Sequence, residues 1–198
     1  MKFKFNPFEK KYQCLGLHVN AHAIKALQFD LKHGRTSMRA YINAPLPKGL
    51  MLNDAFTDQR KLSEFIKLSL QSPQHGSFNT NRVVVCIPES KSFIRVMEIP
   101  VMDEARAGNA IMFEAEAYIP MPMDQVYFDW QILSKTDKTM SVLVIASPKE
   151  YVDTFMHIVE DAGLKLCGVE VEAQSVARAL VPSTVNEPIL VVDMDAFK

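Results

Sequence analysis

His18 and His22 stand four residues apart, a spacing that could place two imidazoles on one metal ion. That geometry needs both rings on one face of a helix. The surrounding residues, Leu17-His18-Val19-Asn20-Ala21-His22, read instead as a strand end followed by a turn, so no metal site is expected. Glu114 and Glu116 would suit a general acid and base, but residues two apart on a helix point to different sides. Asp124 and Asp129 read as surface or turn carboxylates. Ser147 has no histidine beside it. Ser147-Pro148-Lys149-Glu150 matches a capping box, with serine at the N-cap and proline at the first helical position. Cys14, Cys86 and Cys167 lie in apolar segments without the clustering of a zinc site or a disulfide framework, so reduced, buried thiols are expected. No nucleophile and base meet locally, and no catalytic residue is expected.

The chain has 198 residues, 48% of them apolar and 23% charged, an ordinary globular composition with enough length for a sizeable core. Its formal net charge is −1, so no global field draws it to nucleic acid or anionic lipid. The N-terminus, MKFKFNPFEKK, has no apolar run long enough for a signal peptide or a membrane span. It interleaves Phe3, Phe5 and Phe8 with Lys2, Lys4, Lys10 and Lys11, a membrane-surface composition, yet Pro7 makes it a weak amphipath. A frayed terminus is the plainer expectation.

Three apolar runs, Gln13–Val19, Ala23–Leu31 and Thr36–Ile42, have tight connections, His33-Gly34 among them, and predict an antiparallel meander. A helix capped by Thr57 follows, with Leu62, Phe65, Ile66 and Leu70 at helical spacing, closed by Pro73. Val83–Ile87 predicts a strand covered on both faces. Phe93–Ile99, a helix from Asp103 to about Tyr118, Val126–Leu133 and Met140–Ala146 then form a strand-helix-strand-strand unit. A helix over Val152, Phe155, Met156 and Val159 ends at Gly163. A strand (Lys165–Val171), a helix (Ala173–Leu180) and a strand (Pro188–Asp193) complete the reading. Lys198 falls just past that last strand, as a boundary inside a larger fold would.

The stretch Phe113-Glu114-Ala115-Glu116-Ala117-Tyr118-Ile119-Pro120-Met121-Pro122 resembles the FEAEQYIPFP-like signature of the PilM family of type IV pilus assembly proteins. Leu15-Gly16-Leu17, Ala23–Leu27, Val83–Pro88, Ser147–Glu150 and Gly163–Ala179 support the resemblance, which spans about Leu15 to Asp193. It implies an α/β fold: an incomplete actin-like, ribonuclease-H-like half, related to FtsA, carrying an inserted strand-helix-strand-strand subdomain. The expected division is 1–92 for the first part of the actin-like subdomain, 93–146 for the insertion, and 147–198 for the return to it.

The resemblance further implies a cytoplasmic scaffold of the pilus inner-membrane platform, peripheral to that membrane. Its partner would be the N-terminal peptide of a PilN-like membrane protein, held in a groove between the core and the insertion. Other platform proteins or ATPases are further partners. Phe113, Tyr118, Ile119, Pro120, Met121 and Pro122 are the candidate peptide-binding residues, their prolines stiffening one wall. Met97, Met102, Met112, Met121 and Met123 gather nearby, and either fill a core or line an adaptable groove. ATP is also implied by the family, but its two phosphate turns are altered here. His18-Val19-Asn20-Ala21-His22 replaces the aspartate, glycine and hydroxyls of the first, and Asp195 follows Asp193 where the second needs glycine. No cofactor is therefore expected for this chain. The competing readings are a sugar-kinase-type ATPase half, a type II secretion component and an FtsA-like division protein.

Overall fold

The computed structural model describes residues 13–32, 34–182, 184–185 and 187–193. The N-terminal Phe/Lys segment, His33 and Asp195 lie outside the described residues.

β1 (Leu15–Val19), β2 (Ala23–Lys32) and β3 (Arg35–Pro45) form the antiparallel meander. A small hairpin, β4 (Met51–Leu52) with β5 (Ala55–Phe56), leads to α1 (Gln59–Gln71), after which β6 (His75–Gly76) pairs with β3. β7 (Arg82–Ile87) then lies parallel to β1 on its other side. Next come β8 (Phe93–Pro100), α2 (Glu104–Glu116), β9 (Val126–Lys135) and β10 (Thr139–Pro148). The chain returns through α3 (Lys149–Asp161), β11 (Lys165–Val171), which is parallel to β7, and α4 (Glu172–Leu180).

The main sheet has the order β11-β7-β1-β2-β3-β6. Strand alternation sends Leu15, Leu17 and Val19 of β1, Ile24 and Ala26 of β2, and Val83 and Val85 of β7 to one face. There they meet Leu62 and Ile66 of α1 and Phe155, Ile158 and Val159 of α3. α4 covers part of the other face. Val84 and Cys86 of β7, which look that way, are half-buried. Cys14 and Cys167 are half-buried as well, and all three thiols are free, a correction to the burial expected of them. All three edge toward the incompletely covered face, whereas their apolar neighbours occupy the core.

The second sheet, order β8-β10-β9, is antiparallel and comes entirely from residues 93–148. It has a separate core. Met97, Ile99, Met140, Val142 and Val144 pack under Ala107, Ile111 and Ala115 of α2. The small alanines let the helix lie close, and a Cβ on Gly108 would make only ordinary van der Waals contact with the Trp130 ring, at 3.7 Å.

Three local expectations yield to the sheet and its neighbours. Ser147 does not cap α3. The β10–β9 ladder runs on through Ser147 and Pro148, so the buried hydroxyl of Ser147 meets that of Ser92 at 3.0 Å. Pro148 holds the N-cap position and has no side-chain acceptor. Thr57 does not cap α1 either, because its hydroxyl donates to the Gly49 carbonyl at 2.6 Å. Asp58 takes that role and accepts from the Lys61 amide at 3.0 Å. Residues 188–193 form no strand. They have no partner strand among the described residues, and Ile189, Leu190 and Val192 are exposed. Gly163 does end α3, at φ 85°.

Ile66 is fully buried between α1 and the sheet, while Leu68 on the same helix is 62% exposed. Ile66→Ala is expected to cost ~2–5 kcal/mol in denaturant unfolding, and Leu68→Ala less than about 0.5 kcal/mol. The cap titrates too. The Lys61 amide and then the Lys61 ammonium hold the Asp58 carboxyl below its ordinary pKa. Its contribution is thus present above the unfolded carboxyl's pKa and lost as pH falls through the lowered folded value. Thermal melts should show Asp58→Ala less stable than the parent at neutral pH, and the gap closing in acid.

Candidate functional site

β1, β7 and β11 are parallel and end at one level, so the segments following them converge. After β1 comes the turn Asn20-Ala21-His22. After β7 come Glu89 and Ser90, and after β11 comes Glu172 at the start of α4. Around them opens a cleft of about 1330 Å³, reached also by Lys25, Asp54, Val176, Val191 and Asp193. Ligands of open α/β sheets bind at this carboxyl end.

The groups in the cleft are mostly acceptors. Among the described residues, Asp54, Glu89, Glu172 and Asp193 line it with one ammonium, that of Lys25. Asp54 sits on the β4–β5 turn, where both Asn53 (φ 48°) and Asp54 (φ 58°) are left-handed, as a type I′ turn requires. Its carboxylate accepts from the Ser90 hydroxyl at 2.6 Å. His18 Nε2 lies 3.2 Å from Glu172 and is partly shielded. Asn20 folds back on its own turn. Its Oδ1 accepts from the His22 and Ala23 amides, both at 2.9 Å. Two backbone donors that a phosphate could use are therefore taken internally. His18 lies at the end of β1 and His22 in the turn after it. Among the described residues no three His, Cys, Asp or Glu side chains converge as a metal-ligand set.

Beside the cleft, α4 is fastened to the sheet. Glu170 accepts from the Ser175 hydroxyl at 2.8 Å and pairs with both Arg178 guanidinium nitrogens. The Cys86 thiol meets Ser175 at 3.4 Å, and burial, first among its influences, raises its pKa. This thiol is packed rather than activated.

The candidate peptide residues spread over three environments. Phe113 projects from α2, 75% exposed, with Met112 and Glu116 near it on the helix surface. Tyr118, just past α2, lies under the Arg95 guanidinium, 3.9 Å from ring centroid to Cζ. Ile119 is buried in the insertion's core and Met121 packs against it, whereas Pro120 and Pro122 are exposed. Of the clustered methionines, Met97 is buried and Met102, Met121 and Met123 pack on that core; Met112 is exposed.

A different surface escaped the sequence reading. The face of the second sheet turned away from α2 presents Ile94 and Val96 from β8 and Leu143 and Ile145 from β10. Val96 pairs directly with Leu143, and Ile94 with Ile145. Val96 is 54% exposed. At one end this face meets the main body, where the Tyr127 hydroxyl donates to Asp153 of α3 at 2.7 Å. That bond is the first reason the Tyr127 pKa is raised. Lys149 Nζ donates to the Asp124 carbonyl at 2.6 Å along the same seam. The signal was there in the sequence: FIRVMEI and VLVI are apolar at both parities, as a strand needs when neither face is wholly wet.

No described helix is long and apolar enough to cross a membrane. Structural likeness extends to a PilM–PilN type IV pilus biogenesis complex, with 23% identity and a TM-score of 0.75 over 86% of this chain and 50% of that one. It extends also to the cytoplasmic domain of EpsL, an inner membrane component of the type II secretion system of Vibrio cholerae. There the identity is 16% and the TM-score 0.51, over 80% of this chain and 57% of that one. The chain spans about half the length of the solved chains it matches. These likenesses give the fold, an α/β one that corresponds to about half of each solved chain. The family model for the type IV pilus assembly protein PilM matches residues 16–197, and the chain belongs to that family.

Proposed function

We propose that the protein is a non-enzymatic scaffold of the pilus machinery, cytoplasmic and peripheral to the inner membrane. It captures the N-terminal peptide of a PilN-like membrane protein. The observation that carries this reading is the apolar stripe on the open face of the second sheet, exposed Ile94 and Val96 beside half-buried Leu143 and Ile145, edged by Asp129 and Gln131 of β9 and ending against α3 at Tyr127–Asp153. An uncovered β-surface beside a rigid wall offers pockets at alternate positions to an extended peptide with apolar anchors. Membership of the PilM family and likeness to a PilM–PilN complex support the choice of partner. Phe113 and the segment 118–122, on the α2 side, form the rival surface on the same unit.

ATP does not fit this cleft. A triphosphate would meet four carboxylates and one lysine, and like charges at contact distance repel strongly away from bulk water. The first turn has neither the glycine that admits a phosphate nor free amides at His22 and Ala23. No ATPase step is assigned to these residues.

Calorimetric titration tests both halves of the reading. A synthetic N-terminal PilN-like peptide should bind saturably, and Val96→Asp should weaken it by about tenfold or more, as burying a charge in an apolar contact demands. Mg-ATP should give no saturable heat. Loss of peptide binding with Phe113→Asp but not with Val96→Asp would move the peptide to the α2 side. Saturable ATP binding would reopen the ATPase reading.

A further inference from the structure

The open face of the second sheet carries charge as well as apolar side chains, and the strand register says where. Ile94 of β8, Ile145 of β10 and Asp129 of β9 form one row across the sheet. Val96, Leu143 and Gln131 form the next, and Glu98 stands opposite Ser141 in the row after that. Asp129 and Glu98 are both exposed and occupy opposite corners of the apolar stripe. Two strand spacings and the rise from residue 141 to residue 145 separate them. That diagonal is roughly 16 Å, the reach of about five residues of extended chain.

Among the described residues of this face, no cation answers the two carboxylates. Arg95, between Ile94 and Val96, belongs to the α2 side, where its guanidinium lies over the Tyr118 ring. Residues 140–147 of β10 and 126–134 of β9 contain no lysine or arginine. At the seam, Lys149 donates to the Asp124 carbonyl. Glu98 and Asp129 enter none of the ion pairs among the described residues. One oxygen of Asp129 accepts from the Trp130 amide at 2.9 Å, and a carboxylate has sites for further donors. A peptide laid on the stripe strips water from these corners, which costs free energy unless a cation arrives with it. Charges of one sign beside an apolar contact also turn away ligands of the same sign.

We propose that the segment held on this face carries two cationic groups about five extended residues apart, one meeting Asp129 and the other Glu98, with its apolar anchors between them. The inference rests on the peptide-capture reading and adds the chemistry of the captured segment. The diagonal also sets its path: it crosses the strands obliquely, from the β9 side near the Tyr127–Asp153 wall to the β8 side away from it. Each cation is a lysine or arginine side chain or the α-ammonium of an N-terminal peptide. These share one chemistry, a positively charged hydrogen-bond donor, and the test separates them.

The test is calorimetric titration of the full chain, and of Asp129→Lys and Glu98→Lys, with a synthetic N-terminal PilN-like peptide. Both positions are exposed, so far-UV circular dichroism should be unchanged. Each reversal is expected to weaken binding about tenfold, and the two together about a hundredfold, since sites this far apart act independently. Affinity for the parent chain should fall as salt rises. Two altered peptides locate the cations, one acetylated at its α-amine and one with glutamine in place of its basic residues. Loss of a cation should lower affinity for the parent chain severalfold and remove the penalty of the matching reversal. An effect of acetylation assigns that cation to the ammonium, and an effect of glutamine assigns it to a side chain. Binding that neither reversal nor salt alters would overturn this inference and leave peptide capture standing. So would altered peptides that both bind as well as the original. No binding of the original peptide to the parent chain would sink capture and this inference together.

Discussion

The parallel ladder of β1, β7 and β11 is the constraint on which the rest of the architecture turns. β1 has only five residues, yet it is hydrogen-bonded on both sides, antiparallel to β2 and parallel to β7. Leu15, Leu17 and Val19 are each at least 97% buried. A one-residue slip would send all three to the wrong face and put Gly16 and His18 into the core. The register is fixed by that penalty. Once fixed, it sets the level at which three strands end and therefore where Asn20, Glu89 and Glu172 gather. The cleft is a by-product of a ladder held in place by core packing.

Two surfaces of opposite character then rest on two separate cores. The cleft is polar and anionic and is carried by the main sheet. The open face of the second sheet carries an apolar stripe from β8 and β10 beside Asp129 and Gln131 of β9, on a unit whose interior shares no buried residue with the first. They touch through a thin polar seam, Tyr127 to Asp153 and Lys149 to Asp124. An alteration of one surface need not pass through the other's packing, so the turn at Asn20 can change its chemistry while the apolar stripe is kept.

Much of this was legible in the sequence. Apolar alternation located the meander, Val83–Ile87 and the strand-helix-strand-strand order, because those signals come from burial itself. The signature around Phe113–Pro122 pointed to the family. The misreadings share one physical cause: a local signal lost to a nonlocal partner. Ser147-Pro148-Lys149-Glu150 has capping-box chemistry, but β9 lies alongside and draws residues 147 and 148 into the ladder. Thr57 could cap a helix, but the Gly49 carbonyl claims its hydroxyl. Pro188–Asp193 has a strand's composition and lacks a neighbour among the described residues. The resemblance had named the turn at His18 and Asn20 together with Asp193, and all three line the cleft; the rest of its carboxylates were illegible because no spacing rule links Asp54 to Glu89 and Glu172. The bare face was missed because a continuous apolar run does not say which of its two faces will be covered.

The second sheet enters and leaves the main fold through neighbouring strands, with Phe93 opposite Ala146. That closeness bears on the order of events during synthesis. All the pairings of the second sheet lie within residues 93–148, so this unit can finish soon after its last strand leaves the ribosome. The main sheet cannot, because β7 needs β11, whose partners lie some eighty positions downstream, as in Arg82 with Lys165. Long-range pairings of this kind close slowly. While the main sheet waits, the free edge of β7 is a site for mispairing. A compact, already folded unit hung between the two strands shortens the loop that must be closed, from a long random coil to a pair of short leashes. The insertion then serves the nascent chain as a clasp before it serves the finished protein as a surface.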